Sequence, residues 1–183
     1  MKKTFLLLVV IYLAFIALGL PDALLGSAWN LIRVDLDVRL GTLSLVSFMT
    51  YLTSLISTYN APKLLRRFST KTITSFSIIL TGSALIAMSL VDELYQLIIF
   101  AVPLGFGAGA IDVSLNHYMA KHFKASHMNF LHSFYGVGVT FGPAIMAYTL
   151  SNEMWRNGFM MIGALLLFIA LTVVISSNLW IKE

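Results

Sequence analysis

Apolar residues run along this chain in stretches of about 20, the length that carries an α-helix across the roughly 30 Å of a bilayer's hydrocarbon core. Short charged or turn-forming interruptions separate the stretches. The pattern predicts six membrane-spanning helices over residues 4–32, 40–59, 72–91, 94–120, 128–150 and 157–179. The expected fold class is therefore an all-α integral membrane six-helix bundle, one transmembrane domain covering 1–183. Pro21 predicts a kink in the first helix, because it supplies no N–H and crowds the preceding turn. Met1-Lys2-Lys3 followed by the run from Phe5 to Leu20 also fits a secretory signal peptide with a small-residue exit at Ala17-Leu-Gly19. The apolar character resumes from Ala23 to Ile32 and five spans follow, so a first transmembrane helix explains more.

Polar positions inside the spans are the next signal. In Leu104-Gly-Phe-Gly-Ala-Gly-Ala-Ile-Asp-Val-Ser-Leu-Asn-His-Tyr118, Gly105, Gly109, Asp112 and Asn116 recur at helical spacing and share one face. A charge at the centre of a membrane helix costs about 2.5–3.5 kcal/mol on insertion scales, so such residues face a bundle interior or a watery cavity and mark an ion or substrate path. The competing reading makes Asp112 a hydrogen-bonding clamp between helices. Asp22 with Gly19, Gly26 and Trp29 gives the first span a similar small-and-polar face, although Asp22 also falls near a membrane interface. The second span carries Ser47, Tyr51, Ser54 and Thr58, a hydroxyl stripe whose first reading is close helix packing and whose second is cavity lining. Gly136, Gly138 and Gly142-Pro143 suggest a close-packed, bent fifth helix.

Composition narrows the function classes. The chain is 58% hydrophobic and 11% charged, with a mean hydropathy of +0.87. The basic residues cluster between spans instead of lining one solvent face, which argues against nucleic acid as a partner. They act as topology signals: Lys2, Lys3, Lys63, Arg66, Arg67, Lys71, Lys121, Lys124 and Lys182 fall on one side, and Arg33, Arg39 and Arg156 on the other. That bias predicts a multi-pass plasma-membrane protein with both termini cytoplasmic. Asp35, Asp37, Asp92, Glu93 and Glu153 fall in the outer connections. The chain has no cysteine, which excludes disulfides, thiolate metal sites and cysteine nucleophiles. His117, His122 and His127 recur every five residues, turning successive rings by about 140° on a helix, so they share no metal-binding face. Gly105-Phe-Gly-Ala-Gly-Ala110 matches a loose dinucleotide-binding pattern, but no strand precedes it. No cofactor and no metal are expected.

Six spans divide into two groups of three with opposite orientation, and the first helix of each group carries a carboxylate, Asp22 and Asp112. Inverted three-helix repeats with a site at their interface are a recurrent transporter design. Three segments then carry a family resemblance: Gly19-Leu-Pro-Asp-Ala-Leu-Leu-Gly-Ser-Ala-Trp29, the fourth-span segment above, and Met128-Asn-Phe-Leu-His-Ser-Phe-Tyr-Gly-Val-Gly138 with Gly142-Pro143. Together they resemble the amino-terminal half of a major facilitator superfamily transporter, in the branch of fucose-permease-like sugar and proton symporters. The resemblance implies proton coupling at Asp22 and Asp112, and solute contacts from Asn116, His132 and Tyr135. Trp29 adds an aromatic face for a sugar-like solute. It also implies a cytoplasmic gating loop at Lys63, Arg66 and Arg67. Asn60-Ala-Pro-Lys-Leu-Leu-Arg-Arg-Phe-Ser69 lacks the family's two loop glycines, which puts the gating role in question.

The family has twelve helices, whereas this chain ends at Trp180-Ile-Lys-Glu183 just after the sixth. A complete transport path then calls for a second six-helix half or a second copy of the chain. The expected function is proton-coupled uptake of a sugar-like small polar solute, with membrane lipid as a further partner. The alternatives are a noncatalytic accessory membrane subunit, a truncated nonfunctional half, and, remotely, an intramembrane aspartyl protease. The last would need its two acids within hydrogen-bonding reach.

Overall fold

The structure is a computed structural model that describes residues 2–151 and 154–181. Glu153, Lys182 and Glu183, named above for their charge or position, lie outside the described residues. Among the described residues the six spans form as seven α-helices, because the first span is broken: α1 covers Lys2–Gly19 and α2 covers Leu24–Asp35. Pro21 does more than kink the helix. Without its N–H the α-helical ladder stops, and single-turn bonds from Asp22 N to Gly19 O (3.3 Å) and from Leu24 N to Pro21 O (3.1 Å) carry the chain across the break. A turn through Asp37, at φ 50°, leads to a 3₁₀ turn at Leu40–Thr42 and then α3 (Leu43–Leu65).

The remaining helices are α4 (Thr70–Met88), α5 (Leu94–His122), α6 (Ala125–Leu150) and α7 (Trp155–Ile175), the last running into a 3₁₀ turn at Ser176–Leu179. The third and sixth spans start two residues before their predicted bounds and the fifth three before. The second departs most. α3 continues six residues past 59 with Pro62 inside it, so the expected loop of residues 60–69 shrinks to a turn at 66–69 and Lys63 is helical. Ser69 ends that turn by accepting the Thr72 N–H (3.3 Å) at the start of α4.

Packing follows the glycines. α5 lies along α3 so closely that a Cβ on Gly105 would collide with the Thr50 carbonyl and Thr53 hydroxyl, and one on Gly109 with the Ser54 carbonyl. α6 lies along α1 in the same way: Gly138 abuts Ile16 and Leu20, Gly142 abuts Leu20, and Gly19 abuts Tyr135 and Val139. α4 and α7 meet through Gly82 and Gly163. Small residues at such seams let backbones approach and gain dispersion contacts that lipid cannot supply. Gly136, by contrast, faces open space, so the small-residue face of α6 is built from Gly138 and Gly142 alone.

These pairings carry the inverted repeat. Exchanging the first three spans for the last three maps the α3–α5 contact onto the α6–α1 contact and the α4–α7 contact onto itself. The core lies between α1, α4, α5 and α7, around Ile11, Phe15, Ile78, Leu85, Leu97 and Phe159. α3 and α6 are the least covered of the spans.

At one end of the bundle, Arg156 at the start of α7 reaches Asp35 (2.9 Å) and Asp92 (3.5 Å). It also donates to the Val91 carbonyl and stacks on Trp155 at 4.7 Å. Trp155 Nε1 donates to the same Asp35 carboxylate (3.1 Å). The network ties together the ends of α2, α4 and α7. It also explains a basic residue on the minority side of the charge bias, since Arg156 is paired there with acids.

Candidate functional site

The break in the first span sets up the site. Asp22 lies in the non-helical turn between α1 and α2, and the Tyr135 hydroxyl of α6 donates a hydrogen bond to its carboxylate. Across the cleft on α5, Asp112 accepts a hydrogen bond at Oδ1 from Asn116 Nδ2 (2.9 Å). The same Asn116 amide reaches the Asp112 carbonyl (2.9 Å), so Asn116 folds back on its own helix and orients the carboxylate. Asp22, Asp112, His132 and Tyr135 line one concavity of about 250 Å³. It lies at the meeting of α1, α3, α5 and α6. His132 stands edge-on to Phe15 at 5.9 Å.

The hydroxyls of Tyr51, Ser54 and Thr58 on α3 complete the polar wall, and Phe15, Leu18 and Ala108 supply apolar surface. A second concavity of about 520 Å³ shares Leu18, Asp22, Tyr51 and Ala108 with the first and extends it past Pro21, Gly26 and Ser47. This is a correction to the packing-first reading of the hydroxyl stripe. The tight α3–α5 seam is carried chiefly by Thr50, Thr53 and Ser57, the last donating to the Phe106 carbonyl (2.6 Å). The predicted stripe is turned mainly toward the cleft, where Ser54 and Thr58 do both, flanking Gly109.

Glycine spacing and acid placement are linked on α5. Gly105 and Gly109 pull the helix against α3, and Asp112 sits at the rim of that seam where it opens to the cleft. The structure thus gathers Asp22, Asp112, His132 and Tyr135, with Asn116 one turn behind Asp112. It does not gather Trp29. The expected face of Gly19, Asp22, Gly26 and Trp29 requires one unbroken helix. With the ladder interrupted, Trp29 is buried on α2 and its indole N–H donates to the Leu40 carbonyl (2.9 Å), pinning the α2–α3 connection.

Lys63, Arg66 and Arg67 lie at the far end of α3, away from the cleft, around a separate concavity. His122 packs on Tyr118 (4.6 Å) and His127 meets the Tyr12 hydroxyl (3.3 Å), so those two rings belong to different contacts. Among the described residues no cluster of three metal-ligating side chains occurs.

The cleft joins two carboxylates, a phenol, an imidazole and several hydroxyls to aromatic and aliphatic surface, a donor and acceptor set suited to a small polar solute. The carboxylates hydrogen-bond to different partners, Tyr135 and Asn116, instead of to each other. None of the curated proteins compared with the chain matches it. The family model described as Major Facilitator Superfamily matches residues 11–180. The matched stretch includes every residue that lines the cleft, and the chain belongs to the Major Facilitator Superfamily of membrane transporters.

Proposed function

We propose that the chain is one six-helix domain of a secondary transporter that couples proton movement to uptake of a small polar, sugar-like solute. The observation that carries this reading is the convergence of Asp22 and Asp112, from the first span of each three-span repeat, on one polar cleft with His132 and Tyr135. Asp22 and Asp112 exchange protons, while Tyr135, His132 and the α3 hydroxyls hold the solute. Asn116 positions Asp112. Lys63, Arg66 and Arg67 serve the connection whose movement accompanies alternating access.

The cleft is lined in part by α3 and α6, which expose Phe48, Tyr51, Leu55 and Tyr59, and Phe130, Phe141 and Tyr148. Those faces support a second six-helix half, or a second copy of the chain, closing the path. On this reading the domain belongs in the plasma membrane with both termini cytoplasmic, an orientation supported by the nine-to-three bias of basic residues.

The test uses vesicles containing the full chain with whatever membrane partner crosslinks to it, screened with radiolabelled sugars and other small polar solutes under an imposed pH gradient. Asp112→Asn keeps size and hydrogen bonding but cannot titrate. It is expected to abolish accumulation against a gradient and to preserve solute exchange at equal membrane abundance. Accumulation equal to the parent's overturns Asp112 as the coupling group.

A further inference from the structure

On the side of the bundle away from the cleft, α3, α4 and α5 leave a crevice of about 340 Å³ walled by Leu64, Phe68, Ile73, Phe76, Leu80 and Phe106. Two of its three hydroxyls are engaged within the protein: Ser57 donates to the Phe106 carbonyl (2.6 Å) and Thr72 pairs with Ser69 (2.9 Å). The crevice shares Leu64 and Phe106 with a neighbouring concavity of about 680 Å³ that is also lined by Asn60, Lys63, Arg66 and Arg67. An apolar slot therefore adjoins a basic surface.

We propose that this is a binding site for an anionic phospholipid, with an acyl chain in the crevice and the phosphate on Lys63, Arg66 and Arg67. Depth fits: Thr72 to Leu80 on α4 spans about 12 Å at 1.5 Å per residue, close to the roughly 15 Å of one leaflet's hydrocarbon. Charge fits as well. Lys2, Lys3, Lys71, Lys121 and Lys124 lie at the same end of the bundle, and among the described residues no carboxylate does. Arg66 and Arg67 have no ion pair among the described residues. Among the described residues the Lys63 ammonium meets the Asn60 side chain (3.5 Å) and the Tyr59 ring (5.5 Å), contacts weaker than a phosphate would make. Lipid held there would bear on both α3 and α5, the helices that carry the hydroxyl wall and Asp112. The site stands independently of the transport reading.

The experiment reconstitutes the full chain in vesicles of equal phosphatidylglycerol and phosphatidylcholine, extracts it gently, and counts retained lipid by native mass spectrometry. The parent is expected to keep about one phosphatidylglycerol per chain. Arg66→Gln with Arg67→Gln should cut retention by about fivefold per cation removed. Leu80→Trp, which fills the crevice and leaves the cations intact, should displace the lipid as well. Equal retention of the two lipids overturns the site. So does loss with the arginine variant alone, which signifies surface attraction only, or displacement by millimolar glycerol phosphate, which signifies a free-phosphate site. Should a variant fail to fold, the parent decides alone: saturable thermal stabilisation by phosphatidylglycerol beyond that by phosphatidylcholine supports the site, and equal stabilisation refutes it.

Discussion

Tyr135 and Asp22 are 113 residues apart in sequence and hydrogen-bonded across the α1–α6 seam. Tyr135→Phe removes the donor and keeps the ring. It is expected to lower uptake at subsaturating solute by about tenfold, as the loss of a hydrogen bond to a charged group does. Interhelical hydrogen bonds in membranes contribute modestly, so thermal unfolding in detergent should shift by about 1 kcal/mol or less. Unchanged uptake would remove Tyr135 from the site. The glycines give a sharper contrast. Gly105→Ala drives a methyl into the Thr50 backbone, which cannot yield as a flexible side chain can, and should cost about 1–3 kcal/mol. Gly136→Ala meets nothing within 4 Å and should be neutral or stabilising by up to about 1 kcal/mol. At this scale Asp112 was legible, because a carboxylate deep in an apolar run requires an explanation. Trp29 was not, since its assignment depended on helical spacing across a break.

The broken first span shows what periodicity leaves out. Pro21 was visible, but a proline inside an apolar run is compatible with a kink or with a full interruption, and only the folded chain distinguishes them. The end of α3 was misread for the opposite reason. Asn60, Pro62 and the basic run look like loop composition, yet Asn60 Nδ2 bonds back to the Ile56 carbonyl (2.8 Å) and the helix runs on to Leu65. The α2–α4–α7 latch was illegible, because Asp35, Asp92 and Arg156 are separated by more than 50 residues at each step and only the folded chain joins them. Arg156→Ala strips donors from the Ser89 and Val91 carbonyls as well as from Asp35, and should destabilise the bundle by about 1–3 kcal/mol. Asp92→Asn should shift stability by less than about 0.5 kcal/mol, because the Asp92 side chain is 84% exposed. Thermal unfolding of both variants in one detergent checks the ranking. A larger effect for Asp92→Asn would refute the account of the latch.

For the whole molecule, six spans, their alternation and the segregation of charge were legible because a bilayer imposes length and polarity on every segment. The inverted repeat was legible only as a count of spans and two carboxylates. Its physical basis, glycine seams related by exchange of the two halves, needed coordinates. Orientation can be tested directly because the chain has no cysteine, so one introduced thiol reports one position. Arg39 precedes α3 at the end that carries Asp35, Asp92 and Arg156, while Lys124 separates α5 from α6 at the opposite, cation-rich end. Both are exposed. If the cation-rich end is cytoplasmic, Arg39→Cys in intact cells should react with a membrane-impermeant maleimide. Lys124→Cys should react only after permeabilisation. Each substitution removes one cation, so the bias becomes nine to two for the first and eight to three for the second, which preserves the predicted orientation in both. The reverse labelling pattern would invert the topology and place the basic lipid site in the outer leaflet. Labelling of both positions in intact cells would mean that the chain inserts in two orientations.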